Sequence, residues 1–225
     1  MTLRIGLDLE PGLVISRVLT DLDLLDIAYA ATHGGAQSLL APIAIFGAGT
    51  PYSADLFFRP GLPLFMVKAE LDELDKVLAM GNAPDRVLVT GDRGRPLQEF
   101  DRLTEFAKAV KGFSQEIGAL VEPEALALRE LARARVQWVF SSTEPLVRAA
   151  AHTDAEAELA RLTSAAVAAG KLGQRVALCG PTGRHLPSTF ASIPHLEEIY
   201  PTPDLWNHAL RLGWERALAE YRTLL

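Results

Sequence analysis

The chain has 225 residues, 49% hydrophobic and 22% charged, the balance of one globular domain of moderate size. Its 22 basic and 28 acidic residues leave a formal net charge of −6, which argues against a nucleic-acid-binding or anionic-membrane surface. The one cysteine, Cys179, cannot form an internal disulfide, which fits a reducing cytosol.

Met1-Thr-Leu-Arg4 runs straight into a predicted strand over residues 3–8, without a signal-peptide apolar region, so a cytoplasmic location is expected. From Ile27 to Ala54 there is no Asp, Glu, Lys or Arg. Gly34-Gly35, Pro42 and Gly47 interrupt that stretch below the length of a span, so no membrane is expected. A helix followed by a buried strand over 38–46 accounts for it. Residues 42–63 take no single element: Pro51, Pro60 and Gly61 break any periodicity around Phe57-Phe58. A strand over 64–68, a helix over 71–80 and a strand over 86–90 come next, the last with the unbroken apolar run Val87-Leu-Val89 of a strand buried on both faces. A helix over 103–110, a strand over 117–121, a helix over 125–134 and a strand over 136–141 continue the alternation. Thr153-Asp-Ala-Glu156 reads as a capping box opening a helix that ends at Gly170. Strands over 175–179 and 196–200 precede a last helix over 204–224, with Pro203 before it and Asp204 as its N-cap. In that helix Trp206, Leu210 and Trp214 fit core packing, or an oligomer interface where exposed. Eight strands alternating with helices predict a single-domain α/β fold, a closed (β/α)₈ barrel over 1–225, with its site at the C-terminal ends of the strands.

Those ends carry a definite set of residues. The first gives Asp8 and Glu10, the third Lys68, the fourth Thr90-Gly-Asp-Arg93 with Asp92, and the fifth Glu122-Pro-Glu124. The sixth gives Ser141-Ser-Thr-Glu144 and the seventh Cys179-Gly-Pro-Thr-Gly-Arg-His185. The carboxylates are hard oxygen ligands for a cation. Glu122, Glu124 and Glu144 are better read as charges that favour helix N-termini, and no metal is expected. Asp8 is no evident cap and stands as a catalytic candidate. Lys68 is either a Schiff-base or phosphate lysine or the partner of Asp8 or Glu70. Gly180, Thr182, Gly183 and Arg184 form the best anion site, since barrels bind phosphate on the loops after strands seven and eight. Pro181, Pro201 and Pro203 remove amides from that site. The histidines do not converge; only His185 is placed near the mouth.

Ile193-Pro-His-Leu-Glu-Glu-Ile199, followed by His208-Ala-Leu-Arg-Leu-Gly-Trp-Glu-Arg-Ala-Leu218, resembles the eighth strand and final helix of the pyridoxine 5′-phosphate synthase family. The stretch from Leu74 to Asp85 ending in Ala-Pro-Asp, Val121-Glu-Pro-Glu124 and Ile5-Gly-Leu-Asp8 add to the resemblance. It implies a cytosolic homo-oligomer, an octamer in the family, that condenses deoxyxylulose 5-phosphate with an amino-oxopropyl phosphate and needs no cofactor. It also implies where chemistry should sit, and most of it is replaced. The family's first-strand Asp is Asp8, but its Asn and His fall on Gly6 and Leu9. The second-strand His and Arg fall on Pro42 and Ala44, the third-strand carboxylate on Lys68 and the sixth-strand glutamate near Trp138. The seventh-strand Gly-His-Gly falls at Cys179-Gly-Pro181, and the eighth-strand phosphate Gly-His at Thr202-Pro203. The loop after the fourth strand looks shorter. The expectation is a barrel that kept the architecture and lost the reaction, binding a small phosphorylated or other anionic ligand or a protein partner. The alternative is an enzyme, either a pyridoxine 5′-phosphate synthase with a rebuilt site or another phosphate-binding barrel enzyme running other chemistry on Asp8, Lys68, Asp92 and Arg184.

Overall fold

The structure, a computed structural model, describes residues 3–19, 21–47, 50–110, 116–149, 152–183 and 187–225. Eight parallel strands close in chain order: β1 (Arg4–Asp8), β2 (Ser38–Pro42), β3 (Leu64–Glu70), β4 (Arg86–Thr90), β5 (Glu116–Leu120), β6 (Trp138–Ser142), β7 (Arg175–Cys179) and β8 (Leu196–Tyr200). Closure is made by Arg4 opposite Glu198 and Ile5 opposite Ile199. The (β/α)₈ barrel is therefore present, and each predicted run overlaps its strand.

Alternation along the strands divides the core in two. One face, with Leu7, Leu39, Val67, Val89, Ala119, Val139, Leu178 and Ile199, packs under the helices. The other fills the barrel with Leu40, Met66, Leu88, Leu120, Trp138, Phe140, Ala177 and Tyr200. Three of these are aromatic, and glycines face two of them. A Cβ on Gly6 would overlap the Tyr200 ring, and one on Gly118 would lie 2.7 Å from Phe140. Small residues on β1 and β5 thus make room for large ones on β6 and β8.

The N-terminal pole is closed by charge. Arg4, Glu197, Arg175, Glu116, Arg86 and Glu198 form a ring of alternating sign. Its six N···O separations, in that order and back to Arg4, are 3.4, 2.7, 2.9, 3.0, 2.6 and 3.2 Å. The Trp138 indole lies inside the ring, with the Arg86 and Arg175 guanidiniums 3.7 and 4.2 Å from its centroid. Its Nε1 donates to Glu116 Oε2 at 2.7 Å. Arg86 and Glu198 are fully buried, and the Tyr200 hydroxyl, itself joined to Ser38, donates to Glu198. Trp138 is the first residue of β6, at the pole opposite the mouth.

Several predicted elements differ in detail. The second strand stops at Pro42, and Ile43–Phe46 turns into a 3₁₀ segment. Between β2 and β3 only Ala54–Phe57 is helical, and the crossover is held by stacked Phe57 and Phe65, with Phe46 and Phe58 edge-on to Phe65. The helix predicted over 71–80 is a 3₁₀ turn, Leu71–Glu73, with a capping box formed by Glu70 and Glu73, then a short helix Leu74–Leu78. Thr153 lies inside the helix His152–Lys171 rather than capping it. The last helix is two, Asp204–Leu212 and Trp214–Thr223, broken at Gly213 with φ of 83°. Pro203, not Asp204, is the N-cap of the first, which frees the Asp204 carboxylate for another role. Trp206 and Trp214 pack edge to face, 4.7 Å between centroids, and Leu210 is exposed. No helix among the described residues is long and apolar enough to cross a membrane.

Candidate active site at the barrel mouth

The inward face of each strand ends at the C-terminal mouth, around a cavity of about 380 Å³ whose walls include Asp8, Lys68, Thr90, Ser142, Cys179 and Thr202. A second cavity of about 510 Å³ adjoins it, walled by Glu10, Pro42, Ala44, Glu70 and Glu73. Lys68, Thr90, Arg93 and Gly94 border both.

Asp8 lies at the end of β1, buried, with Oδ1 accepting from the Glu10 amide at 2.9 Å. Its carbonyl accepts from Trp206 Nε1 at 2.7 Å, which ties the final helices to this strand end. Glu10 opens the helix Glu10–Ile15 and its carboxylate pairs with Lys68 Nζ. Burial pushes the Asp8 carboxyl above its usual 3.8; the Lys68 charge and the Glu10 amide oppose that without cancelling it. For Lys68, burial alone would lower the ammonium, but the Asp8 and Glu10 carboxylates outweigh it and raise it above 10.5. Lys68 is thus a fixed cation between two carboxylates, the pairing reading of the sequence with Glu10 in place of Glu70. Cys179 faces the same cavity. Burial pushes its thiol up to about 12, although Lys68 pulls it down, so it is a neutral wall.

Gly180, Thr182 and Gly183 sit on the loop after β7, which Thr143 fixes by donating from Oγ1 to Cys179 O at 3.2 Å and Pro181 O at 2.6 Å. A side chain on Gly180, with φ of 115°, would press on Thr143 Oγ1. The amides offered to an anion hold a carboxylate of the chain. Thr182 N and Gly183 N both donate to Asp204 Oδ2, at 2.5 and 2.9 Å, with Thr182 Oγ1 at 3.2 Å from the same oxygen. The Tyr221 hydroxyl completes the group through Thr182 Oγ1. Arg184 and His185 lie outside the described residues.

The remaining candidates scatter. Ser141 faces away from the barrel, its hydroxyl 3.4 Å from Val121 O, and its neighbour Ser142 faces the cavity instead. A strand's period of two makes that one-residue difference decisive. Glu122 pairs with Arg161 of a neighbouring helix at 3.2 Å, away from the mouth. Asp92 is exposed on a 3₁₀ turn after β4, beside a separate cavity of about 420 Å³. Glu144 begins the helix Glu144–Arg148, pairs with Arg148 at 2.6 Å and borders the mouth. The sequence gives Thr90 and Arg93 no role beyond their place at the end of the fourth strand, reads Asp204 as a helix N-cap and does not single out Arg95; Thr90, Arg93 and Arg95 border the mouth cavity, and Asp204 engages the loop after β7. The Arg-Gly-Arg run after β4 is the sequence signal for Arg95. Among the described residues no group of three or more His, Cys, Asp or Glu could hold a metal ion.

Fold and site define a (β/α)₈ barrel protein with a charged, solvent-connected mouth. A family model described as pyridoxal phosphate biosynthesis protein PdxJ matches residues 83–225, and the chain belongs to that family. No curated protein sequence matches the chain. Among solved structures it is similar to tryptophan synthase from M. tuberculosis in an aminoacrylate-bound form, at 10% identity and a TM-score of 0.63, over 99% of this chain and 93% of that one. It is also similar to an HpcH/HpaI aldolase/citrate lyase family protein from Burkholderia cenocepacia, at 15% identity and a TM-score of 0.56, over 97% and 94% of the two chains. At such identities these likenesses concern the fold alone.

Proposed function

We propose that this member of the family does not carry out the pyridoxine phosphate-forming condensation and serves as a barrel that binds a small anionic ligand at its mouth. The observation that carries this is Asp204. Barrels commonly hold a substrate phosphate on amides of the loops after strands seven and eight. Here the chain's own carboxylate accepts from two such amides, Thr182 and Gly183, leaving them no capacity for a substrate phosphate. Lys68 supports the same reading. It stands where the family resemblance requires a carboxylate, and a lysine that keeps its proton between two carboxylates is neither a base nor a free amine. Losing one positioned acid or base slows a reaction by about 10²–10⁴, and here several positions change together.

A buried Asp8 facing the cavity also favours a second reading, a rebuilt enzyme with Asp8 as its proton-transfer group. A cytoplasmic homo-oligomer, with or without a protein partner, is part of the proposal. Incubation of the purified protein with 1-deoxyxylulose 5-phosphate and 3-amino-2-oxopropyl phosphate, followed by chromatography, is expected to give no pyridoxine 5′-phosphate above background. Turnover within about tenfold of a typical enzyme's roughly 10 s⁻¹ refutes the proposal.

A further inference from the structure

We draw no further inference here: the strongest candidate, the apolar cavity of about 740 Å³ beside the β2–β3 crossover, walled in part by Ile43, Phe46, Tyr52, Ala79 and Met80, carries none because nothing in the structure shows what covers it.

Discussion

Replacing Arg86 by methionine tests the ring that closes the N-terminal pole. Arg86 is fully buried and donates from Nη1 to Glu198 Oε2 at 2.6 Å and from Nε and Nη2 to Glu116 Oε2 at 3.1 and 3.0 Å. Its guanidinium also faces the Trp138 ring at 3.7 Å. Glu198 is as buried as Arg86, so the variant strands a carboxylate whose remaining cation is Arg4 at 3.2 Å. Removing one member of a buried pair destabilises by about 3–5 kcal/mol, because desolvation of the survivor is no longer offset. For a domain of this size that is a fall in Tm of roughly 6–20 °C. The assay is urea unfolding at pH 7, with the slope checked so that a shift in midpoint reads as stability. Arg86→Met/Glu198→Gln should lose less than the sum of the two single variants, by about 1–3 kcal/mol. Acidification gives an independent check. Burial would raise the Glu116 carboxyl, but the Trp138 N–H, Arg86 and Arg175 outweigh it and hold it below 4.5. A lowered carboxylate contributes stability that is present above its unfolded-state pKa and lost as pH falls through the folded one. The gap between wild type and Arg86→Met should therefore narrow below about pH 4.5. A loss under about 1 kcal/mol at pH 7, with additive variants, would refute the view that the ring acts as one unit.

Asp8→Asn should be more stable than wild type at pH 7, with the difference fading towards pH 3.8, because a raised carboxyl contributes stability below its unfolded pKa that is lost as pH rises through the folded value; thermal unfolding across pH reads this, and a less stable Asn variant at pH 7 contradicts it. Asp204→Ala should cost about 1–3 kcal/mol by leaving the Thr182 and Gly183 amides unpaired. Inorganic phosphate should then raise the Tm of that variant more than that of wild type, and equal shifts would show that those amides hold no anion. Cys179 should be inert to Ellman's reagent at pH 8 in the native protein and react at once in denaturant, since its thiol is pushed to about 12; rapid native labelling argues for an open, ionised thiol.

The architecture was legible along the chain because local pattern carries it. Apolar runs such as Val87-Leu-Val89 become strands buried on both faces, and Gly213 shows how one left-handed residue divides a helix that periodicity alone draws as continuous. The strand ends were legible too, so Asp8 and Lys68 were placed at the mouth before any fold existed, and the barrel brings both to one cavity. What each residue does there was not legible, since it depends on partners remote in sequence. Glu10 lies 58 residues from the lysine it engages, and Asp204 lies 22 from the amide of Thr182 that it occupies. Asp204 reads locally as a helix cap; only the closed barrel, by setting the β7 loop against the start of the final helices, turns it into an internal anion. Ser141 and Ser142 mark the same boundary, for both lie at a strand end and only the pleat decides which one faces the cavity. The sequence by itself determined where chemistry has to sit in this protein, because strand and helix follow from spacing between near neighbours. Tertiary structure decided which charges are engaged and which are open to a ligand, because that depends on distances between residues that only folding brings together.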